Sequence, residues 1–420
     1  MRKLLKYSIL VVLFTIYIYT IVFRILPISA KYFLEGIGLL LSLRYLLSSG
    51  YRVKKSIRWI FQFAIIVALW DVIVNVINGT YVFVLIKSLI TPIASIFGAQ
   101  FLYECSKNEL KTHHDFLFIV IMTVFIESLI TVAMRFIPPV FSFFDSIQIT
   151  MSVGEGDASI DDITSYYRLV GIGSGLFFAA LQPIAIALLS CVYEIHSEKD
   201  LTRRLFFYFS FASIAVIGLF VVRTSFALTG LSLLLLFYYM TKERLSRSIG
   251  AITVFSFAFV LLFFFVTTYF DEGIISWAFD SFTGKNVGTQ DNSANQVMEW
   301  WKNAHFEIKT FLIGDGLYTN PNGVGYYMGT DIGFFRRIYY GGIIGLLLYL
   351  YYHYKIAYFT YKSIGTRDIK YMMLFLVLSY MVILAKGDAN MLSLFVLYLV
   401  FFERGIFYRV KERYPQNINN

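Results

Sequence analysis

Residues 205–240 read LFFYFSFASIAVIGLFVVRTSFALTGLSLLLLFYYM. Two apolar blocks, 205–222 and 224–240, flank a single arginine, Arg223. Each has the length, roughly 17–25 residues, with which a helix crosses a bilayer core. A surface helix of a soluble protein would carry a polar face, and neither block has one. The pair predicts a transmembrane hairpin with its tight turn at Arg223.

The same pattern runs outward in both directions. Spans are expected near 7–27, 32–48, 58–78, 81–104, 115–137, 169–193, 205–222, 224–240, 249–269, 332–353, 371–386 and 389–404. The chain is 58% hydrophobic and only 15% charged, with a mean hydropathy of +0.67, where soluble proteins carry about 25% charge. The fold class read from this is all-α: a polytopic integral membrane protein with about 12 transmembrane helices, forming one domain over 1–420. The first run follows Arg2, Lys3 and Lys6 as a signal peptide would. It is too long and lacks a small-residue cleavage site, so it is read as the first span. Tyrosines and tryptophans cluster near block ends, where their rings suit the headgroup region. No internal repeat is evident.

The net charge of +9 suggests nucleic acid until its distribution is considered. The N-terminus, the segments 49–58, 105–114, 194–204, 241–248 and 354–370, and the tail from Arg404 hold 23 of the 36 lysines and arginines. That alternation is the positive-inside rule, and it places both termini in the cytoplasm with an even number of spans. Cys105 and Cys191 fall beside these segments and are expected as free thiols in a reducing compartment. No P-loop, zinc-protease motif or nucleophile elbow is present. His113 and His114 are adjacent, which is not a metal-ligand spacing on a helix.

The opposite face has two large loops, 138–168 and 270–331; its other connections are short. The first carries Asp145, Glu155, Asp157, Asp161 and Asp162. In the second, 293–311 predicts a helix on the membrane surface, N-capped by Ser293, with Val297, Trp300, Trp301 and His305 at helical spacing. A glycine-rich turn region, IGDGLYTNPNGVG, follows at 313–325.

Few basic residues remain on that face. Arg168 opens the sixth span, Arg223 sits in its turn, Arg336 and Arg337 enter the tenth span, and Lys386 ends the eleventh. Arginine is disfavoured there, and its planar fork suits phosphate oxygens. As a group these residues predict an anion site at the outer headgroup level. Singly, each also reads as a side chain snorkelling to lipid phosphate. Arg168 and Arg223 are the stronger candidates, Arg337 is expected to be the solvated member of its pair, and Lys386 has Asp388 as a nearby partner. Within the spans, Asp71 is expected to pair with Lys87, and the glycine pairs 171/175 and 341/345 predict close helix packing.

An arginine leading into RLVGIGSG, another in RTSFALTGL, and the stretch FLIGDGLYTN followed by GTDIGFFRRIYYGGIIGLLLY resemble the Wzy-type O-antigen and capsule repeat-unit polymerases. The likeness covers essentially the whole chain and extends to the related O-antigen ligases. It implies a bacterial cytoplasmic-membrane enzyme that transfers a growing glycan from undecaprenyl pyrophosphate onto a new lipid-linked repeat unit at the outer face. It implies no metal and no other cofactor. The partners implied are undecaprenyl-pyrophosphate-linked oligosaccharide and membrane lipid, with room for a chain-length co-polymerase and none for nucleic acid.

Under that resemblance, Arg168 and Arg223, with Arg336 third, would stabilise the departing pyrophosphate. Arg337 and Lys386 would add to binding. The ligases carry a histidine before the corresponding span, and here the position reads Asp331. Asp331 is the first candidate for general base, with Asp315 and His305 behind it; capping of the tenth helix is its other reading. Tyr166, Tyr167, Tyr318, Tyr326 and Tyr327 are placed to stack on sugars or to sit at the interface. A ligase and a polysaccharide flippase are the alternative functions. The missing histidine weighs against the first, and the large outer loops against the second.

Overall fold

The structure is a computed structural model that describes residues 2–25, 28–48, 50–149, 169, 171–173, 178–241, 299–322, 325–388 and 390–409, with isolated positions between 260 and 278. The helices are α1 Arg2–Tyr19, α2 Lys31–Leu47, α3 Lys55–Asn78, α4 Val84–Ser106, α5 His113–Phe136, α6 Pro138–Ile147, α7 Phe178–Ser197, α8 Leu201–Val221, α9 Ser225–Met240, α10 Ile308–Leu312, α11 Gly333–Ser363, α12 Arg367–Lys386 and α13 Leu392–Phe402. Two short strands, β1 Tyr51–Val53 and β2 Phe407–Arg409, complete the described elements. Among the described residues, six helices are long and apolar enough to cross a membrane: α3, α4, α5, α8, α12 and the Ala180–Ser197 part of α7. Leu5–Tyr19, α9 and α13 are shorter and apolar. The expected ninth span, 249–269, lies almost wholly outside the described residues.

The burial pattern is that of a bundle in lipid. Along α3, Ile65, Leu69, Ile73 and Val76 are exposed while Asp71 and Asn75 are fully buried. A soluble helix reverses this, because water rewards polar groups outside and apolar groups inside. In lipid the polar side chains must find partners within the bundle.

The described contacts separate into two ends. At one, β1 pairs antiparallel with β2, and the Lys54 ammonium donates to the carbonyls of Glu403 and Gly405. There too Lys6 pairs with Glu109, His114 with Glu194 and His196 with Asp368, and the Tyr239 hydroxyl donates to Asp368 O (2.6 Å). These ties join the segments expected to be basic loops. At the other end, Arg24 meets Asp145 (3.2 Å), Leu169 N donates to Phe220 O (3.1 Å), and Asn78 reaches Gly314 O (3.1 Å).

Several expected boundaries move. The helix of the sixth span, α7, runs from Phe178 rather than 169; Gly173 lies outside it at φ +112°, where an added Cβ would fall 2.4 Å from Tyr19 O. The tenth runs on to Ser363, which shrinks the expected 354–370 loop to 364–366. The helix expected over 293–311 ends at Asn303; 304–307 are non-helical, so His305 shares no helical face with Trp300 and Trp301. Residues 138–147, expected as loop, form α6, with Pro138 in its first turn where a missing N–H costs nothing.

Candidate functional site

The site is built on a break in α11. Gly342 has φ +66° and ψ −175°, which interrupts the helix two turns from its start. A Cβ there would lie 2.2 Å from Leu312 O, so only glycine fits. The break strips three carbonyls of their helical donors, and each finds another. Tyr339 O accepts from Asp315 N (2.6 Å) and Tyr340 O from Gly316 N (3.0 Å). Gly341 O accepts from the Trp70 indole (2.9 Å). The 312–316 loop is thereby stitched into the helix, with Gly314 and Gly316 at positive φ.

Beneath the break, Tyr340 is tied into α3. Its hydroxyl donates to Asp71 and accepts from Asn75 Nδ2 and Val84 N, both at 2.8 Å. The second Asp71 oxygen accepts from Ile86 N (2.8 Å). The expected Asp71–Lys87 pair is therefore replaced: the carboxylate caps the start of α4 and holds the broken helix. Gly341 and Gly345 do allow close packing, though against the Trp70 side chain rather than a helix backbone.

The half-helix 333–341 carries both arginines. Residues 318–322 and 325–327 are paired through the Thr319–Tyr326 bridge and Asn320 N to Gly325 O (3.1 Å). This pairing sets Tyr318 and Tyr326 on the Arg336 guanidinium, at 3.9 and 4.0 Å from the ring centroids. Each cation–π contact contributes about 0.5–2 kcal/mol. Arg337, expected to be solvated, is only 4% exposed. It grips Asp388 through Nε to Oδ1 (3.1 Å) and Nη2 to Oδ2 (3.0 Å), and lies 4.0 Å over the Tyr349 ring. Its Nη1 is buried and has no hydrogen-bond partner among the described residues. Burial pushes the Asp388 carboxyl up to about 7, while the guanidinium bonds both of its oxygens.

With Asp388 taken, Lys386 turns to Asp331, Nζ to Oδ2 at 3.5 Å. Asp331 does not cap the helix: Ile332 is the N-cap residue and no side chain caps it. Asp315 sits in the stitched loop, accepting from Thr310 Oγ1 (2.8 Å) and the Tyr327 hydroxyl (3.2 Å). His305 is exposed on the segment before α10. The structure thus gathers Asp315, Asp331, Arg336, Arg337 and Lys386 around the break.

Arg223 lies in the turn between α8 and α9 at the same end. Arg168, Tyr166 and Tyr167 lie outside the described residues. The segment after Arg168 is pinned by Leu169 N to Phe220 O, three residues before Arg223. Buried Glu127 supports it, accepting from Ile172 N, Thr131 and Tyr19, and Gly173 N donates to Gln148 Oε1 (3.0 Å). Gly171 has no room for a Cβ, which would meet Glu127 Oε1 at 2.0 Å.

Tyr349 is the member that the sequence reading does not name. Asp388 is named there as a partner for Lys386, and in the structure it pairs with Arg337 instead. The buried Lys31–Glu35 pair (3.8 Å) was likewise missed; the i, i+4 spacing of opposite charges was its signal. No protein-family model, curated protein or solved structure matches this chain.

Proposed function

We propose that the chain is a glycosyltransferase that polymerises lipid-linked oligosaccharide repeat units. In this reading it crosses the bacterial cytoplasmic membrane about twelve times and works at the outer face. The carrying observation is Arg336, clasped between Tyr318 and Tyr326 at the end of the bundle away from the basic loops. A cation held against two aromatic rings is pre-positioned, so it meets developing charge without reorganising.

In the proposed step the bond from the anomeric carbon to the pyrophosphate oxygen breaks, and the acceptor hydroxyl oxygen bonds to that carbon. The hydroxyl proton passes to a carboxylate. The electron pair leaves with the pyrophosphate, whose charge is met in this reading by Arg336 and Lys386, with Arg223 and Arg168 as the further cations. Asp331 is the base best placed for this. An arriving pyrophosphate competes for the Lys386 ammonium and releases the carboxylate. Arg337, gripped by Asp388, anchors the half-helix more than it meets substrate.

Arg168→Ala, Arg223→Ala and Arg336→Ala are expected to leave protein in the membrane and cap the surface polysaccharide at one repeat, a fall of ~10²-fold or more in elongation. Arg336→Lys is expected to fail as well, because an ammonium lacks the flat face that stacks between rings. Normal ladders in these variants would remove the proposed site. Long polymer stranded on the lipid carrier would point to the ligase reaction instead.

A further inference from the structure

A cavity lies at the opposite end of the bundle from the candidate site, among the ties that join the basic segments. It encloses about 630 Å³, within the range of small-molecule sites. Its apolar floor includes Phe116 and Phe401, stacked at 4.4 Å. Lys107, Lys111 and Arg404 line it, and no aspartate or glutamate does.

Two of these cations have no carboxylate partner among the described residues. Lys107 is bonded to Glu104 (2.6 Å), but Lys111 and Arg404 enter no ion pair there. The cavity's imidazoles are engaged elsewhere: His113 with the Tyr193 hydroxyl (2.9 Å) and His114 with Glu194 (2.9 Å). Asp368, the acid nearest in sequence to the lining residues 363–366, is turned to His196 (3.5 Å).

Arg404 is held there against its backbone preference. Its φ is +57°, a region arginine seldom adopts. The surroundings over-determine it, as strained functional positions require. Arg404 N donates to Phe401 O (3.1 Å), and the Lys54 ammonium bonds the flanking carbonyls of Glu403 and Gly405. The cavity wall also includes Thr366, N-cap of the 20-residue α12, whose side chain caps no amide. The N-terminus of α5, by contrast, is closed by its Thr112–Asp115 capping box.

The two chain segments that adjoin the described residues of this end are net basic in sequence. They follow Thr241 and Arg409 and carry Lys242, Arg244, Arg247, Lys411 and Arg413 against Glu243 and Glu412.

We propose that this cavity binds a phosphate-bearing anion, its phosphate bridging Lys111 and Arg404 and its apolar part resting on Phe116 and Phe401. The phosphate belongs either to an anionic phospholipid of the membrane leaflet at this end or to a soluble phosphate compound. The proposal is independent of the glycosyl-transfer reading, since it concerns the opposite end of the molecule and is read by binding.

The test uses purified full-length protein and thermal unfolding. One arm titrates inorganic pyrophosphate in neutral detergent. The other compares phosphatidylcholine nanodiscs with and without phosphatidylglycerol. The variants are Lys111→Gln, whose side chain makes no hydrogen bond or ion pair among the described residues, and the double Lys111→Gln/Arg404→Gln. Arg52→Gln/Arg58→Gln is the control, basic residues of the same end outside the cavity lining. One of the two probes is expected to stabilise the native chain. Its half-saturating concentration should rise about tenfold or more in the double variant, the effect of losing charge-assisted bonds, and less than twofold in the control. Lys111→Gln alone should give part of that rise. Stabilisation by pyrophosphate that weakens in the double variant assigns a soluble ligand to the cavity; stabilisation by phosphatidylglycerol alone that weakens likewise assigns a lipid; stabilisation that the double variant leaves unchanged overturns the proposal. No stabilisation by either, or equal loss in the cavity and control variants, overturns the proposal.

Discussion

Arg336 and Arg337 are adjacent in sequence and opposite in circumstance. Arg336 lies between two tyrosine rings, and Arg337 turns inward to Asp388. Asp388→Asn would leave a guanidinium buried without its counter-charge. The expected cost is about 3–5 kcal/mol, read as a lower thermal midpoint in detergent. Replacing both partners, Arg337→Met with Asp388→Leu, should recover most of that loss, because well-packed apolar side chains replace a buried pair at little net cost. A double variant as unstable as the single would show that the pair holds the half-helix in a way packing cannot replace. The basic residues were legible in the sequence as a group, since each departs from the positive-inside pattern. Their pairing was not. Lys386 lies nearer in sequence to Asp388 than Arg337 does, yet only the fold decides which of them reaches it.

The decisive element is α11, whose hydropathy runs unbroken through a helix that is broken. The glycine pair 341/345 was legible, but the glycine that interrupts the helix is Gly342. Nothing in its flanks marks it, because the donors that compensate the break come from Asp315, Gly316 and Trp70, all distant in sequence. Gly342→Ala is expected to destabilise the protein by roughly 2 kcal/mol or more, through positive-φ strain and the contact with Leu312 O. Gly341→Ala meets only ordinary contacts, the nearest at 3.6 Å, and should stay within about 1 kcal/mol of wild type. Equal effects of the two would mean that the break is not required. The surface helix expected over 293–311 failed in a related way. The spacing of Trp300, Trp301 and His305 predicts one face, while Trp300 packs with the α11 aromatics Phe335 and Tyr339 and the helix stops before His305.

At the scale of the whole molecule, the basic segments predicted one common end, and the described contacts join them there. Among the described residues, the helices Lys55–Asn78, Val84–Ser106 and His113–Phe136 lie within a few residues of the expected spans 58–78, 81–104 and 115–137; other boundaries moved, as beside Gly173 and at β2 with β1. This arrangement leaves the arginine–tyrosine cluster at one end and the basic cavity at the other. The account's central claim is that the first of these elongates lipid-linked sugars. The direct measurement supplies purified full-length protein with purified undecaprenyl-pyrophosphate-linked repeat units, without nucleotide sugars, and resolves the products by size. A ladder of multiples of the repeat, absent with Arg336→Ala, is the predicted result. Repeat units recovered unchanged by folded wild-type protein would contradict it.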